Sequence, residues 1–253
     1  MLVVEQPRKE NILFTSIESD NLRLVKSLVE KAAMSLDQVD EEGNTVLHRA
    51  VLMDRKRIAK YFLEKSEYLI SVLNRDGLAP VHLALKSNNP GLLELLLWIS
   101  ADKSVKTRDG LGLIQFTVKE THHSVLKLLL RSIRNRKAQI NAQNNAGETA
   151  LHLAASFGCR ETIKLLVKNG GNLRIRDRNG KLPFHHALCN GYFLTAEFIA
   201  KLDNLNLKEA LLEKFLDGTV AMALALQNSF DPRMKHVLQD WLAAEWIKNI
   251  NIL

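Results

Sequence analysis

The chain has 253 residues, of which 46% are hydrophobic and 25% charged; this is too apolar for a disordered protein and ordinary for a globular one. Its 35 Lys and Arg against 28 Asp and Glu leave a formal charge of +7, too mild by itself to establish nucleic-acid binding. Cys159 and Cys189 are the only cysteines, which excludes a disulfide scaffold and fits a reducing compartment. An acid at Glu5 interrupts any signal-peptide core. The longest charge-free apolar stretch, around Gly218 to Phe230, is shorter than the roughly 18–20 residues a bilayer needs. These features predict a soluble, cytoplasmic chain.

In chain order, Phe14 to Lys31 carries an apolar stripe at Leu22, Val25, Leu28 and Val29, spaced for one face of a helix. A motif then recurs. It reads Gly43-Asn44-Thr45-Val46-Leu47-His48-Arg49-Ala50, then Gly77-Leu78-Ala79-Pro80-Val81-His82-Leu83-Ala84. After a degraded copy, Gly110-Leu111-Gly112-Leu113-Ile114-Gln115-Phe116-Thr117, come the sharpest, Gly147-Glu148-Thr149-Ala150-Leu151-His152-Leu153-Ala154, and Gly180-Lys181-Leu182-Pro183-Phe184-His185-His186-Ala187. Another degraded copy runs from Gly218 to Ala225, and the successive glycine spacings are 34, 33, 37, 33 and 38.

About ten residues after each motif comes an apolar helical segment: Ile58–Leu63, Leu92–Leu97, Val125–Leu130, Ile163–Val167 and Phe193–Ile199. Gly158 and Gly191 stand where the turn between paired helices calls for positive φ. Four extra residues precede Gly147, in Arg131 to Lys137, and are expected to form a loop. Five extra precede Gly218, where Asn206 to Glu209 reads as a capping box and Leu207 to Leu216 as a short helix. The third copy lacks Thr, Pro and His together, which predicts a softer joint. Pro232 to Ile250, with Met234, Val237, Leu238, Trp241, Leu242 and Ile247 on one face, predicts a closing helix. Trp241 and Trp246 are open to either core packing or partner anchoring.

A period near 33 with G-x-T-P-L-H-x-A resembles the ankyrin repeat. The resemblance covers roughly Leu13 to Gln239 and implies an all-α solenoid of about seven stacked helix-turn-helix units with hairpin or loop fingers. The expected organisation is one domain over 1–253: an N-terminal cap repeat at 1–39, five central repeats at 40–217 with insertions near 131–137 and 204–216, and a degenerate repeat with C-terminal cap at 218–253. The motif His48, His82, His152 and His185 are read as structural, tying a helix start to its own turn and to the next repeat.

No phosphate-binding glycine loop, nucleophile elbow or H-E-x-x-H helix is present. His185, His186 and Cys189 lack a nearby third ligand set for zinc. Cys159 with His152 lacks an orienting base and an oxyanion site. No cofactor, metal or small-molecule substrate is expected, and the chain is read as a non-enzyme. A cryptic enzyme using Cys159 or Cys189 stays as a rival.

Members of the resembled family bind proteins through fingertips and first-helix faces. In the slot after the motif His stand Arg49, Leu83, Phe116, Leu153 and His186. Leu83, Phe116 and Leu153, widened by Phe157, are expected to form an apolar concave strip, with partial burial under the fingers as the alternative. Charge concentrates elsewhere. Residues 131–181 hold 11 Lys and Arg against 3 Asp and Glu, so this stretch carries more than the whole net charge. Arg131, Arg134, Arg136 and Lys137 precede the fourth finger, and Arg174, Arg176, Arg178 and Lys181 surround the fifth. Arginine's fork grips carboxylates, so the expected partner of this monomeric adaptor is a protein with an acidic surface or segment. Nucleic acid or anionic lipid is the alternative; nucleic acid is disfavoured by the lack of interleaved aromatics. The resemblance extends to ankyrin proteins that intracellular bacteria deliver into host cells, which would place the chain in a host cytosol.

Overall fold

A computed structural model describes residues 9–87, 90–100, 105–133 and 135–204. The expected helix near 207–216, the copy at Gly218, the closing helix with Trp241 and Trp246, and Arg134 lie outside the described residues. Contacts divide the chain into two compact units, Met1–Arg134 and Asn135–Leu253.

The first unit contains α1 (Lys9–Glu18), α2 (Leu22–Glu30), α3 (Val46–Leu52), α4 (Lys56–Lys65), α5 (Pro80–Lys86), α6 (Pro90–Ser100), α7 (Leu113–Lys119) and α8 (His123–Ser132), with a 3-10 turn at Glu67–Ser71. The second contains α9 (Arg136–Ile140), α10 (Ala150–Ser156), α11 (Arg160–Lys168), α12 (Pro183–Cys189) and α13 (Phe193–Leu202). Among the described residues there is no strand, only one isolated bridge between Val39 and Thr45. The fold is all-α, and none of its described helices is long and apolar enough to cross a membrane.

In the first unit α1, α3, α5 and α7 pack in sequence as an inner row, and α2, α4, α6 and α8 as an outer row. In the second unit α10 packs on α11 and α12, and α12 on α13. Seven-residue inner helices are too short to persist alone in water. Burial holds them: Val46, Leu47, Ala50, Val81, Ala84, Leu151 and Ala154 are fully inaccessible. The small alanine lets neighbouring helices approach, and the outer-row residues Ile58, Phe62, Leu93, Leu96, Ile163 and Leu166 close the core behind it.

In five of the helix pairs the turn passes through the left-handed region, at Asp20, Asp54, Thr121, Gly158 and Gly191. A β-branched residue is poorly suited to that conformation, so Thr121 is held there by its neighbours. Gly158 has a further reason to be glycine. A Cβ there would lie 2.5 Å from the Tyr192 ring.

The insertion before the fourth finger is not the expected loop. Arg131 lies in the last turn of α8, while Arg136 and Lys137 form the one-turn helix α9. The reason lies in its neighbours. Asn141 bridges Lys137 O (3.0 Å) and Gly170 O (2.9 Å) and accepts the Asn172 amide at 2.8 Å. These bonds fix α9 against the end of α11.

Candidate partner-binding surface

Five fingertips lead into the inner helices, and one device builds all of them. The residue three before the finger glycine accepts, through its side-chain oxygen, an amide of the turn. Asp40 Oδ1 takes Asn44 N at 2.7 Å, and Asn74 Oδ1 takes Leu78 N at 3.0 Å. Thr107 Oγ1 takes Leu111 N at 3.1 Å, and Asn144 Oδ1 takes Glu148 N at 2.8 Å. Asp177 Oδ1 takes Lys181 N at 2.8 Å. Short polar side chains that bond their own backbone favour turns for this reason.

Neighbouring fingers are also stitched by backbone. Within the first unit Arg75 N donates to Glu42 O (3.0 Å) and Arg108 N to Gly77 O (3.1 Å); within the second, Arg178 N donates to Ala146 O (3.0 Å). The approach is close. A Cβ on Gly147, whose φ is +79°, would lie 2.6 Å from Arg178 N.

Two of the motif histidines, His48 and His152, seal joints between repeats. Thr45 N donates to His48 Nδ1 (3.1 Å), so the ring proton sits on Nε2, which reaches Leu78 O of the next repeat at 2.9 Å. His152 repeats this with Thr149 N (3.0 Å) and Lys181 O (3.0 Å). Burial, which penalises the imidazolium, pushes His82 and His152 down to about 4 and also lowers His48. In the third repeat, which lacks Thr, Pro and His, Gln115 Oε1 takes over as acceptor for Gly112 N at 2.8 Å. The softened helix start is thereby repaired.

The apolar concave strip is not present as expected. Leu83 is 8% exposed and Phe116 4%. Phe116 lies edge to face with His82 at 4.9 Å, so the next repeat covers what a single repeat would leave open. Leu153 is half-buried. Phe157, at the end of α10, is 40% exposed.

The basic residues differ among themselves. Arg131 and Lys137 are exposed. Arg136 is half-buried and donates to Asn169 Oδ1 at 3.2 Å. On the fifth finger Leu173 and Asp177 point in while Arg174, Arg176 and Arg178 are exposed. Arg174 is engaged by Asp203, through an ion pair at 3.2 Å and a bond to its carbonyl at 3.2 Å. Arg176 Nη1 donates to Gly180 O at 2.6 Å, tightening the tip. Arg178 and the half-buried Lys181 complete the cationic tip.

His186 lies on α12 behind that tip. Its Nε2 is 2.9 Å from Asp177 Oδ2 and its Nδ1 3.1 Å from Ser156 Oγ. Burial alone would raise the Asp177 carboxyl, but hydrogen bonds from His186 and from the Lys181 and Asn179 amides outweigh it and hold it below the usual carboxylate range. The serine, imidazole and carboxylate do not form a hydrolytic site. Ser156 Oγ donates to His152 O at 3.0 Å, and the amides of Phe157, Gly158 and Cys159 are spent on helix and turn carbonyls, so no oxyanion site stands beside it. The Cys159 thiol is pushed up by burial, then by Glu161, which disfavours a nucleophilic thiolate. Among the described residues no group of three His, Cys, Asp or Glu is placed to hold a metal.

Sequence reasoning missed the paired charges. In the first repeat Arg49 Nη2 meets Asp40 Oδ2 at 2.8 Å, and Arg49 Nη1 lies 3.6 Å from Glu18. Arg49 and Asp40 occupy the same slots as His186 and Asp177. The signal was present in the register: an acid three before the finger glycine and a basic residue after the motif histidine occur together only in these two copies.

The family model for ankyrin repeats, in three copies, matches residues 2–71 and 113–209. The mouse B-cell lymphoma 3 protein homolog is 32% identical over 158 residues, covering 60% of this chain and 35% of that protein. The chain spans about a third or less of the curated relatives it matches. Among solved structures, the ankyrin repeat domain of Bcl-3, titled a unique member of the IkappaB protein family, covers 90% of this chain and 97% of its own, with TM-score 0.69 at 20% identity. A solved ankyrin-repeat protein at 26% identity covers 77% of this chain and 99% of its own, with TM-score 0.63.

Proposed function

The chain belongs to the ankyrin-repeat family, and from that premise we propose that it is a non-enzymatic, monomeric adaptor that captures an acidic segment of another protein on its fifth finger. Ankyrin repeats are in general protein-interaction modules, and binding through a pre-formed stack requires little rearrangement. The observation that carries the reading is the tip itself. Arg176, Arg178 and Lys181 cluster on a turn whose one acid, Asp177, is turned inward and bonded. In the fourth fingertip beside it Asn144-Asn145-Ala146 is uncharged, and the acid that follows, Glu148, accepts from Asn144 Nδ2 at 2.8 Å. Arg174 contributes less than its sequence position suggests, because a partner would first have to displace Asp203. Two free cysteines suit a reducing, cytoplasmic compartment, a host cytosol included if the chain is delivered there.

A labelled poly-glutamate peptide tests the reading. The triple variant R176E/R178E/K181E should weaken capture at least about tenfold with the circular-dichroism melt unchanged, whereas R174E should change capture less. Equal capture by wild type and triple variant would overturn the site. Tighter, steeply salt-dependent binding of single-stranded nucleic acid, or of phosphatidylserine vesicles, in place of the peptide would overturn the partner class.

A further inference from the structure

We propose that Asn179, in the turn of the fifth fingertip, is a site of spontaneous deamidation that places a negative charge among the fingertip's cations. The chain contains three Asn-Gly pairs, Asn169-Gly170, Asn179-Gly180 and Asn190-Gly191. A glycine after asparagine has no Cβ to crowd its own backbone nitrogen, and that nitrogen can attack the side-chain amide carbon. In the step, Gly180 N gives up its proton and bonds Asn179 Cγ, and the Cγ–Nδ2 bond breaks. Nδ2 takes the proton and leaves as ammonia, and a cyclic succinimide remains. Water then opens either ring carbonyl. Opening at Cγ gives aspartate in a normal backbone. Opening at the main-chain carbonyl gives isoaspartate, with the chain routed through the side chain. Nothing is oxidised or reduced, and water is the only co-reactant.

The three pairs share a backbone and differ in the side chain. Each glycine lies at positive φ, and each glycine amide donates at 3.0 Å to the carbonyl three residues back, on Val167, Asp177 and Leu188. The attacking nitrogen is therefore held alike in all three. The leaving amides are not. Asn169 Nδ2 donates to Leu165 O at 2.8 Å, and its Oδ1 accepts from Arg136 at 3.2 Å. Asn190 Nδ2 donates to His186 O at 2.9 Å. Both bonds tie the amide back to the helix it ends, so they must break before the ring can close. Asn179 is exposed, and only its backbone amide is bonded, to Asp177 Oδ1 at 2.8 Å; its side chain makes no hydrogen bond among the described residues. Charge adds to this. The attack develops negative charge on Gly180 N, and Arg176 Nη1 already stands 2.6 Å from Gly180 O. The turn also accepts the product. Before the finger glycine stand Glu42, Asp76 and Asp109 in the first three fingers, each followed by a glycine at positive φ.

The reaction does not depend on the fifth finger being the binding site; only its effect on capture rests on that reading. Full-length protein is aged at neutral pH, folded and in urea, and peptides spanning each Asn-Gly pair are followed by mass spectrometry for replacement of the amide by an acid. In the folded chain Asn179 should convert at least about fivefold faster than Asn169 or Asn190, the scale of one net hydrogen bond. In urea, where those bonds are gone, the three rates should converge. Equal rates in the folded chain overturn the site, as does a rate order that persists in urea. N179Q, whose longer side chain closes a ring far more slowly, should give no product at this position with the circular-dichroism melt unchanged. With poly-glutamate as probe, N179D should capture about threefold more weakly than wild type, and N179Q as well as wild type. Conversion at Asn179 with equal capture by N179D and wild type leaves the modification standing and removes the acidic-partner reading of the fifth finger.

Discussion

Two joints in the molecule use the same histidine and end differently. Between the fourth and fifth repeats His152 is bonded on both sides, to the Thr149 amide and to Lys181 O, with the Thr149 hydroxyl 2.8 Å from Nδ1. Between the second and third, Ala79 replaces that threonine. His82 Nδ1 accepts the Ala79 amide at 3.1 Å, but its buried Nε2 has no hydrogen-bond partner. Both rings are fully inaccessible. A buried donor left unmade costs free energy that a made one returns. The difference teaches that the motif histidine is a joint only when the neighbouring carbonyl answers it, and packing filler otherwise.

The comparison can be broken first with alanine. His152→Ala should cost about 3–4 kcal/mol, combining a cavity with two orphaned groups, and His82→Ala about 1–2 kcal/mol less, since it leaves fewer groups unpaired. Urea denaturation of each variant measures this; equal losses would erase the distinction between the joints. Acid comes next. Both histidines are held neutral when folded, at about 4, and take a proton near 6.5 when unfolded. Their stability contribution is therefore complete above pH 6.5 and is lost as pH falls toward 4. Between pH 7 and 5 each should remove about 2 kcal/mol, read as a falling urea midpoint. A midpoint constant over that interval would contradict the buried neutral state. The smallest effect is a gain. Ala79 has the extended backbone of Thr45, so Ala79→Thr should restore the hydroxyl contact and add about 1 kcal/mol. A lower thermal midpoint would mean that the second joint has no room for the repair.

Much of this was legible before any coordinates. The recurring glycines located all five fingertips, and the apolar spacing located the paired helices from Val46 to Ile199. The concave strip was not legible, because the exposure of Leu83 and Phe116 is set by side chains a repeat away in space and not by their own neighbours in sequence. The pairing of Arg174 was not legible for the same reason: its partner Asp203 is 29 residues on. The helix at Arg136–Ile140 was missed because five residues are too few to show a period. Its order comes from Asn141 and the end of α11, contacts that no local pattern announces. The bonds of His186 to Asp177 and Ser156 were not legible either, since a basic residue beside a motif histidine gives no hint of which acid it will face.

The stitch between fingers runs one way. Within each unit the later fingertip donates its amide and the earlier one offers a carbonyl. Such a row has a direction and a fixed stride, so the gene can change length harmlessly only in certain steps. A whole repeat removed between two equivalent glycines of one unit leaves a donor facing an acceptor. A few codons gained or lost inside a fingertip leave it facing nothing. The four residues added ahead of Gly147 entered outside the fingertip turns, where α9 now stands, and that is where further length variation in this chain's own lineage should accumulate.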